Sequence, residues 1–179
     1  MITIISGSNR KDNKTILFAK YVYKKIKLAG EEVKLLDLAE LEGEFISSSM
    51  YNKTSQPRII EEIQNQYFIP AQKFWFFIPE YNGSYPGVVK VLIDAMSTRD
   101  SEKTFKYKKS CLTGISLGRA GNLRGMDHLT EVLNHMGVLV HPNKKPISSI
   151  FRFFDENNEL NEGNIKQELD LQVEELLQL

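Results

Sequence analysis

Two polar loops in this chain carry side chains able to grip a ligand, and each follows a short apolar run. The first, Ser6-Gly7-Ser8-Asn9-Arg10-Lys11-Asp12-Asn13-Lys14-Thr15, comes after Met1 to Ile5. Gly7 permits a tight turn, Ser8, Asn13 and Thr15 offer donors, Arg10 offers a charged fork, and the helix expected next would present unpaired backbone amides. That combination suits a phosphate group. No Gly-Lys-Ser/Thr follows at the spacing of a nucleotide-hydrolase loop, and the three spaced glycines of a dinucleotide fingerprint are missing. The plainer alternative is that Ser8 or Asn13 caps the helix and Arg10 is a solvated surface charge.

The second loop, Pro79-Glu80-Tyr81-Asn82-Gly83-Ser84-Tyr85-Pro86, lies directly behind Phe74-Trp75-Phe76-Phe77-Ile78. Pro79 fixes one backbone torsion, Gly83 permits an unusual one, and Tyr81 and Asn82 supply a ring and an amide. A flat heterocycle could dock there. Read as an ordinary turn, the same residues put Asn82-Gly83 at the corner, Ser84 at a helix cap and Pro86 in the first helical turn. A third loop, Ser116-Leu117-Gly118-Arg119-Ala120-Gly121, ends another apolar run.

These loops need a scaffold, and the chain alternates short β-rich runs with helix-period segments, the signature of βαβ units around a parallel sheet. Strands are expected at Met1–Ser6, Glu32–Leu38, Gln72–Ile78, Lys108–Leu117 and from Val138 to His141. Helices are expected from about Asn13 to Ala29, with Ile16, Ala19, Tyr23 and Ile26 inward, and around Ile59, Ile60, Ile63 and Tyr67. Three more run from Pro86 to Ser97, from Leu123 to Met136, and through Ile165, Leu169, Val173 and Leu176. The polar stretch Gly43 to Pro57 reads as a long loop, in which Met50 and Tyr51 could cover a ligand or a partner subunit. Ile147 to Phe154 reads as irregular. Five parallel strands in the order 2-1-3-4-5 reverse direction between the first and third, where the first two loops emerge.

The 179 residues suit one domain, taken here as residues 1–179. Lysine plus arginine equals aspartate plus glutamate at 23 each, with the charges interspersed, which gives no footprint for nucleic acid or an anionic membrane. Cys111 is the one cysteine and reads as strand core, so a disulfide, zinc or iron-sulfur framework is not expected. His128, His135 and His141 lack clustered cysteine or acidic companions and read as surface or interface groups. Glu80, inside a turn motif, reads as a structural hydrogen-bonding group rather than a base. No apolar run approaches the roughly 18 to 20 residues of a membrane helix, and a cytoplasmic location is expected.

Two motifs carry a family resemblance across nearly the whole chain. Gly7-Ser8-Asn9-Arg10, followed by Asn13 and Thr15, resembles the first loop of NADPH-dependent FMN reductases of the flavodoxin-like superfamily, which includes azo, quinone and chromate reductases. Asn13 stands where that family usually has serine. The run from Pro79 to Asp94 resembles the family's P-E-Y-N-x-S-x-P-x-x-L-K-x-x-I-D, with Val89 for leucine. Ala95 stands where an aromatic residue often follows. Ser116, Gly118 and Gly121 match a third loop more loosely.

The resemblance implies a flavodoxin-like three-layer doubly wound sandwich and an FMN cofactor. It implies that Ser8, Arg10, Asn13, Lys14 and Thr15 hold the phosphate. Pro79, Glu80, Tyr81, Asn82 and Ser84 would follow the isoalloxazine ring, and Ser116, Leu117, Gly118 and Gly121 would support its other edge. No catalytic side chain and no metal are then needed, because hydride from NADPH or NADH passes to flavin N5 and two electrons leave to a small-molecule acceptor. Ping-pong kinetics and a homodimer or homotetramer are expected. The rivals are a non-enzymatic flavodoxin-like electron carrier, which would tend to be strongly acidic, and an FMN-binding interaction module. A phosphate-accepting receiver domain would need aspartates where Ser8 and Pro79 stand.

Overall fold

The apolar run Lys73–Pro79 forms strand β3, and its hydrophobicity is continuous because helices cover both of its faces. Phe74, Phe76 and Ile78 join one buried cluster, whereas Trp75 and Phe77 join the other. The alternation follows from the two-residue period of a strand. The computed structural model describes residues 1–41, 47–161 and 163–179.

Around β3 the chain builds β1 (Ile2–Ser6), α1 (Thr15–Leu28), β2 (Val33–Asp37) and α2 (Arg58–Ile63), which continues into a π-helical turn at Gln64–Phe68. After β3 come α3 (Gly87–Met96), α4 (Ser101–Phe105), β4 (Lys109–Ile115), α5 (Leu123–His135), β5 (Leu139–Val140), β6 (Lys145–Ile147) and α6 (Asn164–Gln178). All pairings between these strands are parallel, in the order β2-β1-β3-β4-β5, with β6 also on β4. Helices α1 and α6 pack on one face, and α2, α3 and α5 on the other. This is the flavodoxin-like doubly wound sandwich expected from the sequence.

Several details differ from the sequence reading. The inward side of α1 is Phe18, Ala19, Val22 and Ile26, while Ile16 and Tyr23 are only half-buried. The expected fifth strand is split into β5 and β6, because Pro142 cannot donate to a ladder and the chain turns there. Buried Gln172 of α6 stands in the gap, its amide nitrogen 3.1 Å from the Asn143 carbonyl and its oxygen accepting from Thr113 Oγ1 at 3.0 Å. Thr113 in turn accepts from Trp75 Nε1 at 2.8 Å.

Helix α4 was not expected; its Thr104 is anchored by the buried Gln64 amide at 2.7 Å. The long polar loop contains a 3-10 turn at Ser48–Tyr51 that buries Met50 in the core, and residues 43–46 of that loop lie outside the described residues. Ile147 belongs to β6, and Ile150–Phe153 forms another 3-10 turn.

Candidate functional site

Register brings the three polar loops to one edge of the sheet. Ser6 of β1 lies opposite Phe77 of β3, and Pro79 lies opposite Ile115 of β4, so β1, β3 and β4 end together. Between them is a crevice of about 240 Å³, at the switch point where successive crossovers diverge. Its lining includes Ser8, Arg10, Asn13, Lys14, Thr15, Pro79, Glu80, Tyr81, Ser116 and Leu117 from the predicted set. Lys11, Asp12, Ile115 and Ile150 complete it. Asn82, Ser84, Gly118 and Gly121 stand outside the lining.

The first two loops are bonded directly to each other. Ser8 Oγ lies 2.6 Å from the Tyr81 hydroxyl and also accepts the Arg10 amide at 3.2 Å. The Arg10 guanidinium sits over the Tyr81 ring, 4.4 Å from its centroid. An exposed cation–π contact of this kind is worth about 0.5–1 kcal/mol. Asn13 braces the loop from within, donating to the Arg10 carbonyl at 2.9 Å and accepting the Ile16 amide at 3.2 Å. Asn13 thus pairs an amide in the first turn of α1, while Lys14, at the N-cap itself, makes no side-chain cap. The amide of buried Thr15 donates to no acceptor among the described residues.

The second loop is a tight reversal. Tyr81 and Ser84 exchange main-chain hydrogen bonds at 2.9 and 3.1 Å, with Asn82 at φ 52° and Gly83 at φ 77°. Asn-Gly at two successive positive-φ positions is the preferred pair for such a turn. Ser84 does not cap α3; Pro86 occupies the cap, and Ser84 Oγ instead lies 2.9 Å from His128 Nδ1 on α5. The Glu80 amide donates to the Ile115 carbonyl at 2.8 Å, so this residue is held through its main chain.

Sequence reasoning missed the residue that fixes the end of β3. Asn122, 1% exposed, donates from Nδ2 to the carbonyls of Ile78 at 3.1 Å and Pro79 at 3.0 Å. An asparagine just before a helix looks like a cap, yet its side chain makes no cap bond. The third loop folds on Ser116, whose Oγ donates to the Gly118 carbonyl and accepts the Gly121 amide, both at 2.9 Å. Gly121 has φ 57°, and a Cβ there would lie 2.6 Å from Pro146 Cβ and 2.9 Å from its backbone. Leu117, by contrast, projects from the rim at 62% exposure.

Cys111 is buried in β4, and burial pushes its thiol up to about 12, which keeps it protonated and unreactive. Among the described residues no group of three histidine, cysteine, aspartate or glutamate side chains is placed to hold a metal ion.

The sequence pattern of the NADPH-dependent FMN reductases matches residues 1–151. The chain belongs to that family. The NAD(P)H-dependent FMN reductase PA1204 of Pseudomonas aeruginosa is 31% identical over 144 residues, covering 79% of this chain and 76% of that protein. Among solved structures, the flavoenzyme FerB of Paracoccus denitrificans, an NAD(P)H:(acceptor) oxidoreductase, superimposes with a TM-score of 0.80 at 20% identity. The alignment covers 99% of this chain and 94% of FerB. The apo form of the NADH:FMN oxidoreductase EMOB gives 0.70 at 18% identity, covering 99% and 89%. These likenesses in structure show the shared fold.

An NAD(P)H-dependent oxidoreductase with FMN as its cofactor follows from membership, and the crevice suits that group chemically. A phosphate needs hydrogen-bond donors and positive charge; the first loop supplies Arg10, Lys14, the Thr15 amide and a first turn of α1 without acidic side chains, with Asp12 the one carboxylate of that loop in the lining. A heterocycle needs rigid, partly apolar walls, which Pro79, Tyr81, Ile115, Leu117 and Ile150 provide. The family match ends at residue 151, yet the chain beyond it reaches back: Lys14 Nζ donates to Asn158 Oδ1 at 2.5 Å and lies 5.7 Å from the Phe154 ring centroid. No helix among the described residues is long and apolar enough to cross a membrane.

Proposed function

We propose that this reductase holds FMN with its phosphate in the Ser8–Thr15 loop and its ring against Pro79–Tyr81 and Ser116–Leu117. Nicotinamide and acceptor then use the same open ring face in turn. The observation that carries the reading is the direct coupling of the first two loops, Ser8 to Tyr81 at 2.6 Å with Arg10 stacked on the same ring. It sets the donor-rich end of the crevice at a fixed distance from the turn that would back the heterocycle.

When bound, FMN supplies the hydride and two-electron chemistry. The chain's own part is to orient, to supply charge to the phosphate, and to leave a face open. Asn122 holds the β3 carbonyls in place, and Ser116 shapes the opposite wall. No side chain is assigned a catalytic proton transfer. The acceptor is a small oxidised molecule such as a quinone, an azo compound, free flavin or a metal oxyanion. The kinetic order is ping-pong.

Tyr51, in the 3-10 turn after β2, and Leu117 on the rim are both exposed and able to meet a second copy of the chain. A homodimer or homotetramer is therefore part of the proposal, and sedimentation measures it directly.

The test is anaerobic. Protein supplied with FMN is expected to retain it, to bleach on NADPH or NADH, and to regain colour on adding a quinone. Double-reciprocal plots are expected to be parallel. Intersecting lines would refute the ping-pong order, and flavin that binds but is bleached by neither nicotinamide would leave an electron carrier in its place.

A further inference from the structure

The six arginines divide by position. Arg58 and Arg99, on the α2 side of the molecule, are paired with carboxylates: Arg58 with Glu62, and Arg99 with Glu61 and Asp100. Arg10 lines the crevice, Arg119 and Arg124 lie on the third loop and at the start of α5, and Arg152 lines a separate cavity; among the described residues none of the four makes an ion pair. In a chain with no net charge, this concentrates unneutralised guanidinium groups at one end of the sheet.

Arg10 belongs to the first loop. Arg124 stands on the other side of the Tyr81–Ser84 turn, in the first turn of α5. Its guanidinium packs on Gly83, with Nη2 3.4 Å from where a Cβ would be. Four residues on, His128 is hydrogen-bonded to Ser84 at 2.9 Å. The turn that backs the crevice is therefore gripped from behind by two basic side chains on one face of α5. Of the two carboxylates of α5, Asp127 is engaged by Lys144, and Glu131, about two turns from Arg124, makes no ion pair among the described residues. Arg119 sits in the loop leading to α5.

We infer that Arg124, assisted by His128, is a subsite for the phosphates of the nicotinamide dinucleotide, separate from the Arg10 site for the flavin phosphate. The inference rests on the flavin-reductase reading above. A planar guanidinium at an exposed rim, free of carboxylates, pairs well with phosphate oxygens. It lies one turn from the crevice wall, so it could hold the charged part of a co-substrate whose nicotinamide enters the crevice.

The experiment compares reductants with and without phosphates on the FMN-loaded protein. For Arg124→Ala, anaerobic bleaching by NADPH should lose about 10- to 100-fold in kcat/KM, the range of one charge-assisted hydrogen-bonded pair. Bleaching by N-benzyl-1,4-dihydronicotinamide, which carries no phosphate, should be unchanged, and Arg124→Lys should recover part of the loss. A greater loss for NADPH than for NADH assigns the 2′-phosphate to the subsite; equal losses assign the pyrophosphate. Calorimetric titration with adenosine 2′,5′-bisphosphate gives a second readout, with binding expected in the parent and weakened in Arg124→Ala. Parallel losses with both kinds of reductant, or an unaltered response to NADPH, would overturn the subsite. If the parent protein is bleached by neither reductant, the reductase reading fails, while the bisphosphate titration still decides the subsite.

Discussion

Asn122→Ala should loosen the wall of the crevice without touching its ligand. The side chain donates to two carbonyls at the end of β3, is almost fully buried, and sits at φ 57°. Removing it forfeits two hydrogen bonds, each worth about 1 kcal/mol net, and leaves two buried acceptors short of a donor. Alanine also inherits a left-handed backbone, at a further cost of about 1 kcal/mol. The expected destabilisation is about 3 kcal/mol, measured by urea unfolding of the protein without added flavin. Asn122→Gly separates the two contributions: it relieves the backbone and still lacks the donor, so it should lose about 2 kcal/mol. Because the Ile78 and Pro79 carbonyls position the turn behind the crevice, both variants should also weaken FMN, followed by quenching of flavin fluorescence. If alanine and glycine cost the same, the backbone contribution is absent. If neither alters stability or flavin affinity, Asn122 does not position the turn and the reasoning fails.

Arg10→Ala should weaken FMN by about 10- to 100-fold through loss of a charged phosphate partner, while losing less than about 1 kcal/mol of fold stability with the Tyr81 stacking contact; flavin titration and urea unfolding measure the two. Gly121→Ala should be among the most damaging changes to the third loop, at about 2–4 kcal/mol in denaturant unfolding, because its Cβ would meet Pro146 and its φ is positive. Lys108 is buried, with Nζ donating to the Phe68 and Ile69 carbonyls, and burial lowers it from 10.5 to about 8. Between those values the unfolded chain holds the proton that the folded chain has released, so this residue's contribution to stability should rise with pH, by up to about 3 kcal/mol from pH 8 to above 10. Comparing unfolding of the parent and Lys108→Met at pH 7, 8.5 and 10 isolates the effect, and a gap that does not shift toward the parent would contradict it.

The strands and the loops at their carboxyl edge were legible in the sequence because each depends on a local pattern, while their order came from the five-strand doubly wound arrangement that such a chain commonly adopts. An unbroken apolar run such as Phe74 to Ile78 must be covered on both sides, and Asn82-Gly83 must reverse the chain. The inward face of α1 was not readable from spacing alone, since Ile16 and Tyr23 fit the helical period and only the position of the sheet selects Phe18 and Val22. The break between β5 and β6 depends on Gln172, about thirty residues downstream, replacing ladder contacts that Pro142 disrupts. Helix α4, five residues long, leans on Gln64 rather than on its own propensity.

For the site, the sequence by itself determined which chemistry is present: a donor-rich first loop, a rigid turn carrying Tyr81, and the motifs that mark a flavin reductase. Those are properties of residue type and short spacing. Only the tertiary structure decided which of these groups face one another. It turned Ser84 away from α3 to His128, joined Ser8 to Tyr81 across 73 positions, and made Asn122 the anchor of β3. Such pairings are set by strand register and by the side of the sheet each helix occupies, quantities that no local stretch of sequence encodes.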